Sequence, residues 1–363
     1  MLLIRTLLPV GLLAVLACTQ LDAPPATSLT STPVPDRQER IAATKMPAFD
    51  KPVSFDTPEA DAILDALEVF PPDNPWNLVV ADWPLHPDSR AIIASIGVDK
   101  PLRYNPDMAF VLVPPNQKNV EVKLTEFPNE SDPGPYPLPD NVPIEGWPAH
   151  YTRYVAPRDS RFKGLTLVDL QRNKFDEDGD RHAIVVDPMN HKLYEFSRLV
   201  RTERGWHAAC AATFDLKSNK LRPDGWTSAD AAGLPIFPAV VRYDELKHRK
   251  VEHALRVTVR KTRRAYVYPA THFASKLTDE NLPRMGERIR LKKDFNTAPF
   301  SPEVKVILEA LKKYGMLVAD NGMEWGVSVA PDERIPFLHT ELRKVKGSDF
   351  EVITPPPGYT PAK

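Results

Sequence analysis

The sequence has few cysteines, few glycines and no excess of charge of either sign. Only 2 of its 363 residues are Cys, so a disulfide framework cannot be what stabilises a chain of this length. Lys and Arg number 47 against 48 Asp and Glu, which gives no electrostatic reason to expect a nucleic-acid partner. With 42% hydrophobic residues the composition is that of a globular protein, not of a disordered or fibrous one.

Long hydrophobic runs are missing after the N-terminus. Arg5 precedes an apolar stretch from Leu7 to Ala17, which is too short to span a bilayer but typical of a secretory signal. The small Ala17 before Cys18 resembles a bacterial lipobox, in which the cysteine is acylated. We predict a signal peptide over residues 1–17 and a lipoprotein anchored through Cys18, either periplasmic or at the cell surface. An ordinary signal peptide cut nearby is the alternative.

Proline is abundant and unevenly distributed. Of 39 prolines, 25 precede residue 161. Residues 18–48, rich in Pro, Thr and Ser, predict a flexible tether, 49–353 a single globular domain, and 354–363 a proline-rich tail. Because proline lacks the donor that a central strand needs, we expect the irregular stretch 101–160 to wrap the surface.

Alternating hydrophobicity after Arg181 predicts several short strands. Residues 182–187 and 192–196 fit one hairpin, and 316–320 with 323–329 fit another, around Asn321-Gly322. Further strands are expected at 206–216, 240–243 and 265–268. Three helical patterns lie near residues 57–67, 87–96 and 301–315. Because helices do not alternate with strands, the sequence predicts a mainly β fold, a β-sandwich or irregular barrel with about three peripheral helices.

Common catalytic motifs are absent. The sequence contains no glycine-rich phosphate loop, nucleophile elbow, HExxH or CxxC, which argues against common nucleotide enzymes, serine hydrolases and zinc proteases. Cys210 lies among alanines with no flanking charge, so we interpret it as a buried structural cysteine. Asp176, Asp178 and Asp180 imitate the spacing of a calcium loop, but Arg181 stands where such loops need Gly. We predict no cofactor, with calcium at these three residues as the alternative to a solvated turn.

Aromatic and basic residues in the second half suggest a sugar site. Arg256, Tyr266 and Tyr268 would line one groove if their strands pair, and Trp226 lies in a long loop, residues 221–235. Aromatic faces stack on pyranose rings, and Arg binds uronate carboxylates. These four residues are therefore the predicted substrate-binding residues.

Cleavage of a glycosidic bond by hydrolysis needs two carboxyl groups, whereas a lyase needs a base. The candidate catalytic residues are Asp187, Asp215, Asp230 and Asp320, with His253 as the base of a lyase. Each has a structural alternative: the acids as surface carboxylates, Asp320 as part of a turn, and His253 as a core histidine.

Four sequence runs resemble an uncharacterised family of exported bacterial proteins. They are SDPGPYP from Ser131, LRPDGWTSADAAGLP from Leu221, HALR from His253 and YGMLVADNG from Tyr314. The resemblance covers about residues 70–352. It implies a single exported domain and supplies no catalytic residue.

These observations give a leading hypothesis and two rivals, and they leave open whether the protein is an enzyme. The leading one is an exported lipoprotein that binds a polysaccharide and in its stronger form cleaves it, as a hydrolase or a lyase. The first rival is a non-catalytic cell-envelope protein that binds a glycan or a protein, with membrane contact through the lipid anchor only and no nucleic acid. The second is a metal-dependent hydrolase using some of His182, His207, His253 and His272, whose spacings match no metal motif.

Overall fold

The chain combines strands and helices in nearly equal proportion. The structure, a computed structural model, describes residues 36–175 and 178–361. Within these ranges the chain forms 14 strands in three sheets, each of which mixes parallel and antiparallel pairs. The strands are β1 (Val53–Ser54), β2 (Arg103–Pro106), β3 (Phe110–Leu112), β4 (Val122–Leu124), β5 (Ala183–Asp187), β6 (Lys192–Ser197), β7 (Val200–Thr202), β8 (Gly205–Ala208), β9 (Cys210–Asp215), β10 (Leu255–Val259), β11 (Arg288–Leu291), β12 (Met316–Asn321), β13 (Gly326–Val329) and β14 (Phe350–Ile353).

The helices are mostly short, and two start as the sequence predicts. Thr57 accepts a hydrogen bond from the Ala60 amide at 3.2 Å, and Pro58 occupies the first turn that follows. Pro302 likewise opens the longest helix, which buries one apolar face. The α-helices in the described residues are α1 (Arg37–Ala43), α2 (Pro58–Ala66), α3 (Ser89–Ile96), α4 (Leu167–Gln171), α5 (Tyr243–Lys247), α6 (Pro302–Lys313) and α7 (His339–Leu342).

A five-stranded sheet has the order β1-β3-β5-β6-β9. Strands β5 and β6 pair antiparallel with Asp187 opposite Lys192, which confirms the hairpin predicted from the sequence. Strand β9 pairs antiparallel with the other side of β6. A three-stranded sheet, β4-β8-β7, lies apart from this one in the strand pairing. The predicted strand over residues 206–216 is thereby divided at Ala209 between two sheets.

The six-stranded sheet has the order β14-β11-β12-β10-β13-β2 and corrects a second predicted hairpin. Strands β12 and β13 do not pair with each other, because β10 lies between them, parallel to β12 and antiparallel to β13. Leu255, Val257 and Val259 of β10 are fully buried. Placing this apolar strand in the centre of the sheet removes more apolar surface from water than a local hairpin would.

The proline-dense stretch contributes strands to both larger sheets, so the expectation that it wraps the surface is wrong there. Strand β3 lies between β1 and β5, and its three residues contain no proline. Strand β2 is at an edge, where its terminal Pro106 is tolerated. As a result, Asp107 lies on the short connection between the two sheets.

Two further predicted strands take other forms. Residues 240–243 lead into α5, and the segment 265–268 forms only a single bridge, between Tyr266 and Met285. This matters for the predicted groove, because β10 is paired with β12 and β13 and not with the segment that carries Tyr266 and Tyr268.

One apolar core includes residues from both larger sheets, among them Phe110, Ile184, Leu255 and Met316. The prediction of a mainly β protein is supported only loosely, because strands and helices each account for 21% of the residues, and there are seven α-helices in the described residues where about three were expected. Helix α1 falls inside the range assigned to the tether, and its Arg40 forms an ion pair with Glu252 at 3.0 Å.

The predicted signal peptide, the lipidation site Cys18 and the last two residues of the tail lie outside the described residues. Across 36–175 and 178–361, none of the helices combines the length and the apolar character needed to cross a bilayer.

Candidate active site

A cavity of about 210 Å³ lies against the connection between β2 and β3. Its charged lining is mostly acidic, with five carboxyl groups beside Lys174 and Arg181, and it also includes apolar and aromatic side chains. We call it the acidic pocket. Among its lining residues are Asn105, Asp107, Glu145, His150, Tyr151, Phe162, Asp169, Asp178 and Asp180.

Asp107 is held firmly in this pocket by one of its two carboxyl oxygens. Its Oδ2 accepts hydrogen bonds from Asn105 Nδ2 at 2.7 Å and Ser328 Oγ at 3.1 Å, and lies 3.8 Å from Arg256 Nη1. Its Oδ1 is buried and has no hydrogen-bond partner among the described residues. Burial, with the nearby charge of Glu145, raises the pKa of Asp107 to about 7. Near neutral pH this carboxyl can therefore carry a proton.

Glu145 faces the same pocket in the opposite protonation state. Its Oε2 accepts a hydrogen bond from the His182 backbone amide at 3.2 Å and lies 2.9 Å from His182 Nδ1. The side chain is 27% exposed. Burial acts to raise the pKa of Glu145, but the attraction of His182 outweighs it and the pKa lies below its ordinary value. Glu145 is therefore ionised.

His182 carries a positive charge, as its two partners show. Nδ1 contacts Glu145, and Nε2 lies 3.0 Å from the carbonyl oxygen of Ala229. Both partners only accept hydrogen bonds, so both ring nitrogens must carry hydrogen. Burial opposes this charge, but Glu145 and Asp230 overcome it and raise the pKa of His182 to about 10. The ring is an imidazolium.

Arg256 and Asp230 form a bidentate ion pair that is entirely buried. Arg256 Nε donates to Asp230 Oδ2 at 2.9 Å, and Nη2 donates to Oδ1 at 2.5 Å. The remaining nitrogen, Nη1, donates to Ser328 Oγ at 2.6 Å. Ser328 thus connects this ion pair to Asp107.

Asp320, near the end of β12, completes what we call the buried charge network, and burial with the charge of Asp230 raises its pKa to about 7. Fully ionised, the network would have more negative than positive groups. Burial is the main cause of the raised pKa of Asp107 and Asp320, and the neighbouring carboxylates add to it, so protons on these two acids remove the excess. The network consists of Asp107, Glu145, His182, Asp230, Arg256 and Asp320.

Three members of the network are close enough to suggest a metal site. Single donor atoms of His182, Asp230 and Asp320 lie within 4.8 Å of one another. However, both oxygens of Asp230 are engaged by Arg256, and an imidazolium has no lone pair to give. These residues therefore do not suit a metal ion as they are arranged here.

The sequence-predicted catalytic residues divide into two groups. Asp230 and Asp320 come together in the network. Asp187 instead accepts a hydrogen bond from the Asn190 amide at 2.9 Å in the hairpin turn, and exposed Asp215 pairs with Lys192 at 2.9 Å. His253 is fully buried, with Nε2 2.9 Å from Glu245, so it is the core histidine of the structural alternative.

The predicted substrate groove is not formed. Arg256 is buried in its ion pair with Asp230, whereas Tyr266 donates to Asp224 at 2.5 Å on the surface. Tyr268 lines a separate cavity of about 30 Å³ beside Trp83. Trp226 is half-buried, with the Arg222 guanidinium 5.5 Å from its ring. Of the four predicted binding residues, only Arg256 belongs to the network.

The calcium alternative rests on three acids, of which Asp176 lies outside the described residues. Asp178 and Asp180 both line the acidic pocket, and exposed Asp178 also lies 3.5 Å from Arg198. The interpretation of Cys210 as a buried structural cysteine is confirmed: it is a free thiol contacted by Ser131 Oγ at 3.4 Å, and burial raises its pKa.

The sequence analysis did not select Asp107 and Glu145, because both lie in the proline-dense stretch 101–160, which was expected at the surface. The sequence nevertheless indicates a buried strand next to Asp107. Residues 108–113 form an uninterrupted apolar run, which is typical of a strand buried on both faces, and Asp107 immediately precedes it.

Comparisons with protein-family models, with curated proteins and with solved structures give no match for this chain.

Proposed function

We propose that this chain is an exported lipoprotein that binds a polysaccharide and hydrolyses its glycosidic bonds, with Asp107 as general acid and Glu145 as general base or nucleophile. One observation carries the proposal: two carboxyl groups in opposite protonation states face the same cavity. Glycoside hydrolysis needs such a pair, one to protonate the leaving oxygen and one to act from the other side of the sugar.

The contacts of Asp107 suit a proton donor. With Oδ2 fixed by Asn105 and Ser328, the unpartnered Oδ1 is the oxygen left to hold the proton that the reaction requires. When the proton leaves, the Arg256 guanidinium, 3.8 Å from Oδ2, stabilises the new carboxylate.

Glu145 suits the complementary role. His182 engages Oε2 and keeps the group ionised, and the partial exposure of the side chain gives substrate or water access to it. Because His182 is held as a cation with both nitrogens engaged, it is not a base for a lyase reaction, and neither is the buried His253. Hydrolysis is therefore favoured over β-elimination.

Export and lipidation remain part of the proposal on the strength of the sequence. The apolar stretch 7–17 and the cysteine that follows support them. For the fold, we infer that the five- and six-stranded sheets form the two layers of an irregular sandwich, since one core includes residues from both.

The test is cleavage of a panel of plant, algal and bacterial polysaccharides by wild type, Asp107→Asn and Glu145→Gln, measured as new reducing ends. Each substitution should lower the rate by about 10²–10⁴-fold, the usual contribution of a general acid or base. Asp215→Asn, which alters an exposed acid outside the pocket, is the control and should keep the wild-type rate. Wild-type activity should fall as the pH rises through about 7, where Asp107 loses its proton.

Other outcomes would favour the alternative functions. Ultraviolet absorbance of unsaturated uronates would show a lyase. A folded wild-type protein that is inactive on the whole panel would favour the non-catalytic envelope protein. Full activity of Asp107→Asn would remove this residue from the mechanism.

A further inference from the structure

A row of aromatic rings extends from the acidic pocket. His150 lines the pocket, and its ring centroid is 6.2 Å from that of Tyr154. The Tyr154 ring is 5.3 Å from Phe337, and Phe337 is 5.4 Å from His339, with these last two nearly parallel at 16°. We call these four residues the aromatic row.

Two chain segments are joined to build the row. Residues 150–155 form a wide π-type turn, in which the Ala156 amide bonds to the Tyr151 carbonyl at 2.8 Å. Thr152 Oγ1 donates to the Glu333 carboxylate at 2.9 Å, and Arg153 donates to the Glu333 carbonyl at 2.5 Å. Turns of this kind interrupt regular helix geometry and often occur at functional sites.

The row is connected to the proposed acid through β2. Tyr104 of this strand is buried beneath the row and meets Phe337 edge-on, with centroids 6.0 Å apart at 86°. Asp107 directly follows the same strand. The position of the row relative to Asp107 is thus set by a strand of the six-stranded sheet, and His150 and Asp107 line the same cavity.

The rings present uncharged surface to solvent. Phe337 is 54% exposed, an unusual fraction for a large aromatic side chain, and the other three are partly exposed. Burial lowers the pKa of His150, and burial together with the charges of Arg343 and Arg103 lowers the pKa of His339, which favours the uncharged form of both rings. Neutral rings offer stacking surface, and although Arg343 and Arg103 lie near His339, the carboxyl groups that line the adjoining pocket disfavour anionic sugars.

We propose that the aromatic row binds the sugar units next to the bond that is cleaved, so that the substrate is a polymer of mainly uncharged pyranoses, cut within the chain. The inference rests on the proposed function and adds a substrate class to it. Pyranose rings have one apolar face that stacks on aromatic rings, and the row offers such rings at centroid spacings of 6.2, 5.3 and 5.4 Å, with planes turned by 59°, 36° and 16° from one ring to the next. A site for a single terminal sugar would need only the pocket.

The experiment measures binding separately from cleavage. Soluble β-glucan, xylan and galactomannan, with alginate and polygalacturonate as charged counterparts, are placed in native gels, and retardation is measured for wild type, Phe337→Ala and Tyr154→Ala. At least one neutral polymer should retard wild type. Each substitution should weaken that binding roughly tenfold, the effect of losing about one aromatic stacking contact. Phe127→Ala, which removes another partly exposed aromatic, should bind as wild type does.

The outcomes separate this inference from the proposed function. If Asp107→Asn abolishes cleavage while both row variants bind normally, the row inference is wrong and the catalytic proposal stands. If the row variants lose binding while Asp107→Asn still cleaves, the row inference stands and the catalytic role of Asp107 is wrong. Retardation of wild type only by the charged polymers, or by none, would overturn the inference. Because Phe337 is exposed, its replacement should leave the melting temperature unchanged, which checks that the variant is folded.

Discussion

Buried charges in this protein are stabilised by shared partners. Ser328 Oγ contacts both Arg256 and Asp107, and His182 contacts Glu145 while its charge also acts on Asp230. Within such a network the removal of one charge leaves its partner without compensation in a medium where water cannot replace it. A surface ion pair has no such consequence, because water screens both charges.

Asp230→Asn should therefore be strongly destabilising. It leaves the fully buried Arg256 guanidinium without its bidentate partner, and we expect the free energy of unfolding to fall by about 3–5 kcal/mol. Asp215→Asn, which breaks an exposed pair with Lys192, should cost about 1 kcal/mol or less. Urea unfolding of both variants measures the difference. Equal losses would mean that the Arg256 ion pair contributes no more than a surface pair.

Elements of the fold that depend on local sequence could be predicted, and those that depend on distant partners could not. The hairpin of β5 and β6 and the start of α2 follow from residues within a few positions of one another. The place of β10 between β12 and β13 depends on residues some 60 positions away, and no local turn pattern encodes it. Asn321-Gly322 fits a hairpin turn, but the central position of β10 prevails over that preference.

Two glycines with the same backbone conformation differ in how closely other parts of the chain approach them. Gly286, just before β11, has φ +80°, and a Cβ there would lie 2.1 Å from the Val267 carbonyl oxygen. Gly225 has φ +82° and open space around the same position. Gly225→Ala should cost about 1–2 kcal/mol, the strain of a left-handed Ala. Gly286→Ala adds a collision with backbone and should cost about 3 kcal/mol or more. Thermal unfolding of the two variants makes the comparison, and equal melting temperatures would contradict it.

For the molecule as a whole, the network makes stability depend on pH in an unusual direction. Asp107 and Asp320 have native pKa values of about 7 against an ordinary value of 3.8. Between pH 3.8 and about 7 the native state keeps protons that the unfolded chain has released. The free energy of unfolding therefore falls as the pH rises, by up to about 1.4 kcal/mol per pH unit for each group. His182, whose pKa is raised to about 10, acts in the same direction. Its contribution to the free energy of unfolding is complete below pH 6.5 and is lost as the pH approaches 10.

The protein should therefore be more stable at pH 5 than at pH 8, as measured by the midpoint of urea unfolding. At lower pH the ionised Glu145, whose pKa is depressed, becomes protonated and its contribution is lost, which sets the acid limit. The Asp107→Asn, Asp320→Asn double variant should show a smaller difference between pH 5 and pH 8. A wild type that is more stable at pH 8 would contradict the assignment of protons to these two acids.

The sequence by itself determined the local hairpin of β5 and β6, the start of α2 and the buried state of Cys210, because each depends on short-range periodicity, capping or composition. It also singled out Asp230, Arg256 and Asp320 without showing that they meet. Only the tertiary structure brought them together with Asp107, Glu145 and His182, which come from connections between strands of different sheets. The charge state of each group is set by its neighbours, and these neighbours are far apart in the chain, so protonation and chemistry could be assigned only after folding was known.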